Sequence, residues 1–170
     1  IQKRIWFSAF GYLDGIIKGG WVWSRSPYPN LLIPNANLSY TIQPESFALM
    51  NPMEFINARY MSWDITYWAN GAIFNYIPYF KKLKLREAFS FRGLFGKLSD
   101  RNNPDLNNEL FRFPSDAHTR PMDHGPYMEI GVGIDNIIKI LRVDYVWRLS
   151  YRDTYHCDRS GLRIALHFTF

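Results

Sequence analysis

Along much of this chain, apolar and polar residues alternate one for one. The clearest run is at the C-terminus, where Leu162, Ile164, Leu166, Phe168 and Phe170 oppose Arg163, Ala165, His167 and Thr169. Before it, Val143, Tyr145, Trp147, Leu149 and Tyr151 oppose Arg142, Asp144, Arg148 and Ser150. The same period of two recurs in Met128–Ile134, Leu85–Phe95, Met61–Tyr67 and a long Gly-rich stretch, Ile5–Trp23. Successive side chains of a strand point to opposite sides, so this pattern predicts six strands, each with one greasy and one polar face. One helix signal interrupts them. Asn51-Pro52-Met53-Glu54 has an N-cap residue, a first-turn proline and a glutamate at the third position, which predicts a short helix near 52–58.

Alternation does not say which face meets water. A soluble barrel or sandwich hides its greasy face. A membrane barrel turns it out to lipid and keeps the polar face toward a wet lumen. Connection length separates the two. The first and third connections between the six strands run to roughly 25–30 residues, far beyond a hairpin loop. The second (around Pro78–Leu83) and fourth (Asn136–Ile140) are short, and the fifth, Arg152–Ser160, is intermediate. Long outer loops alternating with short periplasmic turns characterise membrane barrels. Aromatic residues divide likewise. Phe7, Tyr76, Phe168 and Phe170 fall at one set of strand ends, and Trp21, Trp23, Tyr60, Trp63 and Tyr151 at the other. Two such bands suit the two interfaces of a bilayer.

The final strand carries a third sign. Arg163, Ala165, Phe168 and Phe170 resemble the β-signal by which the outer-membrane assembly machinery recognises its clients, with Ala165 where that signal has glycine. A strand ending on Phe-Thr-Phe would leave a sticky edge on a soluble protein. Strands of ~9–11 residues span a bilayer. Six are too few to close a single-chain barrel, which takes at least about eight. The expected fold is therefore all-β: an antiparallel transmembrane β-barrel sector of about six strands, occupying residues 1–170, with upstream strands absent.

Length and composition narrow the classes. The chain has 170 residues, enough for one ordinary domain. Its aromatic content of 18% argues against disorder, and no apolar run is long enough for a transmembrane helix. The single Cys157 excludes an internal disulfide or a cysteine-based zinc site. The start at Ile1, without Met or signal peptide, reads as a mature piece or a fragment.

Several strings resemble one family of Bacteroidetes outer-membrane proteins. They are Phe47-Ala48-Leu49-Met50-Asn51, Glu54-Phe55, Arg59-Tyr60, Ile77-Pro78, Lys81 to Glu87, Gly96 to Asp100, and Gly131 to Asn136 followed by Arg142-Val143-Asp144, Trp147-Arg148-Leu149 and Tyr151. In that family, a domain of unknown function, a carboxypeptidase-like regulatory module without peptidase chemistry precedes a C-terminal barrel. The resemblance implies that this chain is the barrel's C-terminal part. It is also distantly similar to BamA-like barrels, which insert or translocate proteins. Their aliphatic-Arg-Gly-aromatic tetrapeptide lies in an inward loop. Here the nearest string, Phe91-Arg92-Gly93-Leu94, falls in a strand and ends on leucine.

The polar faces carry Arg86, Arg92, Arg142, Arg148 and Arg163 beside Asp64, Glu129, Asp135 and Asp144, with Glu87 of uncertain register. Two readings follow: a lumen knitted by charge-assisted hydrogen bonds, or a cationic lining that favours anions. His118, His124, His156 and His167 show no metal or hydrolase spacing, and only Ser90 or Ser150 with His167 could build a catalytic pair. Asp100, Asn102, Asn103, Asp105, Asn107 and Asn108 could ligate Ca²⁺ but fit a solvated loop better. Lys81, Lys82, Lys84 and Arg86 suit a snorkelling anchor to lipid head groups. The net charge of +5 is spread among strand faces and turns, which does not suggest nucleic acid.

The expectation is an outer-membrane barrel with a structural, assembly or passage role, no catalytic or metal residues and no cofactor. Its partners would be outer-membrane lipid, the barrel assembly machinery during biogenesis, and other outer-membrane proteins. The alternatives are a soluble β-barrel binding a hydrophobic ligand and an outer-membrane lipid hydrolase.

Overall fold

A computed structural model describes residues 1–153 and 156–166. It shows seven antiparallel strands in one sheet, ordered as in the sequence. These are β1 (Gln2–Trp6), β2 (Tyr12–Trp21), β3 (Arg59–Ala69), β4 (Arg86–Lys97), β5 (Tyr127–Ile137), β6 (Leu141–Arg148) and β7 (Ser160–Leu166). The sheet is not closed, and β1 and β7 are its two edges.

Seven strands replace the six expected because Ile5–Trp23 is a hairpin. A 3₁₀ turn at Ser8–Phe10 breaks it, and Trp6 pairs with Tyr12. Gly11 makes the reversal possible. Its φ is 102°, and a Cβ there would collide with the Trp68 carbonyl.

The expected helix at 52–58 is absent. One capping contact does form, as the Asn51 N–H donates to Glu54 Oε2 at 3.0 Å, and a backbone turn bond joins the Glu54 N–H to the Asn51 carbonyl at 3.2 Å. The turn then stops, because Met53 has φ 55° and Glu54 and Phe55 are drawn into buried contacts. Among the described residues the α-helix is instead α1, Pro78–Leu83, in the β3–β4 connection. Pro78 stands at its start and left-handed Lys84 at its end. That connection spans 70–85 and is longer than expected.

The long connections, 22–58 and 98–126, leave from the same end of the sheet, and the short ones, 7–11 and 138–140, from the other. The two faces differ in kind. The apolar one is open, with Phe95, Ile130, Val132, Tyr145 and Leu162 all exposed. The polar one is covered toward β4–β7, burying Glu129, Asp144, Arg148 and Arg163, while Arg4 on β1 stays exposed. The cover is the 22–58 connection, whose residues 46–50 are buried without exception. Under it Phe47, Met50, Phe55, Leu94, Tyr127 and Tyr151 form the main apolar cluster. Phe55 packs edge-on against Tyr151 at 5.0 Å, and Phe47 against Tyr127 at 5.4 Å.

The same connection reaches the β7 edge. Ile164 donates to the Tyr40 carbonyl and accepts from the Ile42 N–H, both at 2.7 Å. Thr41 and Ile164 form a parallel bridge, so this edge is partly occupied.

Candidate functional site

Strand register lines up the charges that the sequence scatters. Asp64 lies across from Arg92, Arg92 from Glu129, and Glu129 from Arg148. The result is an alternating row of acid, base, acid and base over four neighbouring strands, β3 to β6. Side by side on one face, opposite charges stabilise the sheet and like charges would oppose it. A second group lies nearer the short-turn end. Arg142 grips Asp144 with two bonds, 2.7 and 2.6 Å, and its guanidinium lies 4.4 Å from the Trp68 ring. Gly133 leaves the space that Asp144 fills, since a Cβ there would overlap the carboxylate.

The row holds the covering segment by its main chain. Arg92 donates to the Ser46 carbonyl at 3.0 Å. Glu129 accepts from the Ala48 and Leu49 N–H groups at 2.9 and 2.7 Å, and from the Tyr127 hydroxyl at 2.6 Å. Arg163 of β7 donates to the Ala48 carbonyl. Arg148 donates to the Leu49 carbonyl at 3.0 Å.

Arg148 is the centre of this network. It forms a fully buried ion pair with Glu54, bonding both carboxylate oxygens, Oε2 at 3.1 Å. Its remaining N–H groups reach the Ser150 and Tyr151 carbonyls at 3.1 and 2.7 Å. All five guanidinium donors are thereby engaged. The guanidinium also lies 4.7 Å from the Tyr127 ring. A buried charge is tolerable only when so satisfied.

The expected site residues thus meet different fates. Arg92, Arg142, Arg148 and Asp144 converge on the covered face. Arg86 is half-buried at its rim, across from Asp135. Arg163 serves the covering segment, Ala165 lies across from Arg142 in β6, and Phe168 and Phe170 fall outside the described residues. Trp21, Trp23, Phe7 and Tyr76 are exposed at the sheet ends. Trp63 is half-buried on the apolar side, over Gly93. Tyr60 instead packs against the inner cluster. Tyr151 is also displaced from the expected outer band: β6 ends at Arg148, a left-handed turn (φ 53°) breaks the parity, and the ring is buried. Its hydroxyl donates to the Gly125 carbonyl at 2.7 Å, and burial raises its phenol above the usual tyrosine range.

Glu87 is the uncertain acid of the sequence. It lies at the short-turn end, accepting from the Ile73 and Phe74 N–H groups at 2.9 and 2.7 Å. Glu54 was not among the expected site residues at all. Its partner is 94 residues away, and its string read as a helix start. Ser150 Oγ accepts the Met128 N–H at 2.8 Å and Ser90 is buried, while His167 lies outside the described residues. No His, Cys, Asp and Glu grouping able to hold a metal occurs among the described residues.

No family model matches. Neither a curated protein nor a solved structure matches the chain.

Proposed function

We propose that this chain is the C-terminal sector of a β-barrel in the bacterial outer membrane, of the Bacteroidetes family whose strings it resembles. Its role is structural, in assembly or in passage, and not catalytic. One observation carries this reading: the sheet exposes its apolar face and, over β4 to β7, buries its charged one. Lipid is the solvent that makes such a sheet favourable, because strands there turn apolar side chains outward and polar ones to the lumen. The 22–58 connection then acts as an inward plug, latched by the charge row. Guanidiniums already committed to Asp64, Asp144, Glu54 and the Ala48 carbonyl favour a plug seat over an anion-selective lining.

The test is a gel of the native outer-membrane fraction, boiled and unboiled, probed with an antibody to this sequence. A heat-dependent shift of a band far above the 20.1 kDa of this chain is expected. A single unshifted band near that mass, or none in the fraction, overturns the reading. A second reading, a soluble β protein with a hydrophobic ligand, draws on a hollow of about 290 Å³ whose lining includes Leu31, Leu32, Phe47 and Leu94 but also Lys18 and Glu45. That protein would stay monodisperse in plain buffer.

A further inference from the structure

At the long-loop end of the apolar face, three facing strand positions carry Trp21, Arg59 and Lys97. All three project from the same side as the exposed Met61 and Phe95, one step further along the strands. Trp21 stacks on Trp23 with ring centroids 4.5 Å apart and planes 8° from parallel, and both indoles are exposed. Arg101 approaches from the 98–126 connection and donates to the Trp23 carbonyl at 3.4 Å. These residues line a hollow of about 390 Å³, together with Ser99 and Asp100. The hollow thus holds three cations against one carboxylate. None of the three forms an ion pair among the described residues. The Ser99 hydroxyl is shielded from solvent and has no hydrogen-bond partner among the described residues.

Each part of this surface selects for a part of one ligand. Unpaired Arg and Lys favour phosphate, and arginine binds it through a fork of donors. Stacked, exposed indoles offer a flat apolar platform of the kind on which sugar rings lie. The apolar strand face below offers a path for acyl chains. We propose that Trp21, Trp23, Arg59, Lys97 and Arg101 bind the headgroup of a phosphorylated glycolipid, with its chains against Met61 and Phe95. The proposal rests on the membrane reading above, since it needs that face to meet lipid. It differs from the Lys81, Lys82 and Lys84 group, which lies on and just after α1 at the other end.

The full-length protein is purified in detergent, incubated with bisphosphorylated lipid A, and examined by native mass spectrometry. Dephosphorylated lipid A, phosphatidylglycerol and inorganic phosphate serve as comparison probes. The wild type is expected to retain lipid A. Arg59→Gln with Lys97→Gln should weaken retention about tenfold or more, and the dephosphorylated form should behave like that variant. Trp21→Ala should abolish the preference for lipid A over phosphatidylglycerol. Equal retention by the double variant overturns the cationic site, and equal binding of phosphatidylglycerol by the wild type overturns the glycolipid. Retention displaced by inorganic phosphate alone, regardless of acyl chains, makes the site one for a free anion and also overturns the proposal. Each variant's heat-dependent gel shift reports whether its barrel is intact. Loss of that shift in the wild type itself would instead refute the membrane reading.

Discussion

Arg148 shows how one side chain can tie sequence-distant segments into a fold. Its five donors reach Glu54, Leu49, Ser150 and Tyr151, so it joins the end of β6 to the covering segment. Removing one partner of such a pair strands a buried charge. Arg148→Ala is therefore expected to destabilise the protein by about 3–5 kcal/mol, read as a lower midpoint in guanidinium unfolding. Arg148→Met combined with Glu54→Leu should recover most of that loss, since neither charge remains; a double variant as weak as the single would refute the ion-pair account. Cys157 allows a test by pH. Burial is the main influence on its thiol and raises its pKa above the ordinary cysteine value. Less thiolate then exists at any given pH, and thiolate is the reactive form. Alkylation by iodoacetamide should be slower than that of a free thiol at neutral pH, and its rate should rise at a higher pH than for an unfolded control. Coincident profiles would contradict the burial.

At the scale of elements, the sequence makes the strands legible and the covering segment illegible. Strands announce themselves because one face is apolar over its whole length, as in Met128–Ile134 and Leu162–Leu166. The β1–β2 reversal does not, because it depends on the left-handed conformation of Gly11 in a stretch that already contains three other glycines. The 51–54 string carries a true capping signal, yet tertiary contacts of Glu54 and Phe55 override it. The charge row needs register, which alternation alone does not supply; Asp64, Arg92, Glu129 and Arg148 were visible singly but not as neighbours. Gly133 makes this dependence testable. A methyl group there would displace Asp144 from Arg142, and Gly133→Ala should cost about 1–3 kcal/mol in the same unfolding assay. Limited proteolysis reports the covering segment separately. Glu129→Gln with Glu54→Gln weakens both carboxylate holds and should open cleavage within 31–58 at protease levels that leave the wild type intact. Unchanged cleavage would mean that the apolar cluster alone retains the segment.

For the whole molecule, the decisive quantity is the free energy of the open apolar face in its solvent. Val132 lies at the middle of that face, across from Phe89 on one side and Tyr145 on the other. It is 41% exposed, so a longer side chain can leave the sheet without disturbing the covered face. In water a surface substitution at such a position is nearly neutral, within about 0.5 kcal/mol. In a bilayer an arginine near the midplane of the lipid-facing side costs about 2–4 kcal/mol. Val132→Arg therefore separates the solvents with one substitution. The full-length variant, refolded into lipid vesicles, should show a lower unfolding midpoint and a smaller folded fraction by the heat-dependent gel shift. A control, Val146→Arg, probes the covered face, where the position is buried beside Ala48 and Leu49. It should fail in any solvent, because overpacking and an unpaired charge act together. If Val132→Arg folds as well as the wild type in vesicles while Val146→Arg does not, the apolar face does not meet lipid, and a covering protein partner or ligand must be sought for it instead.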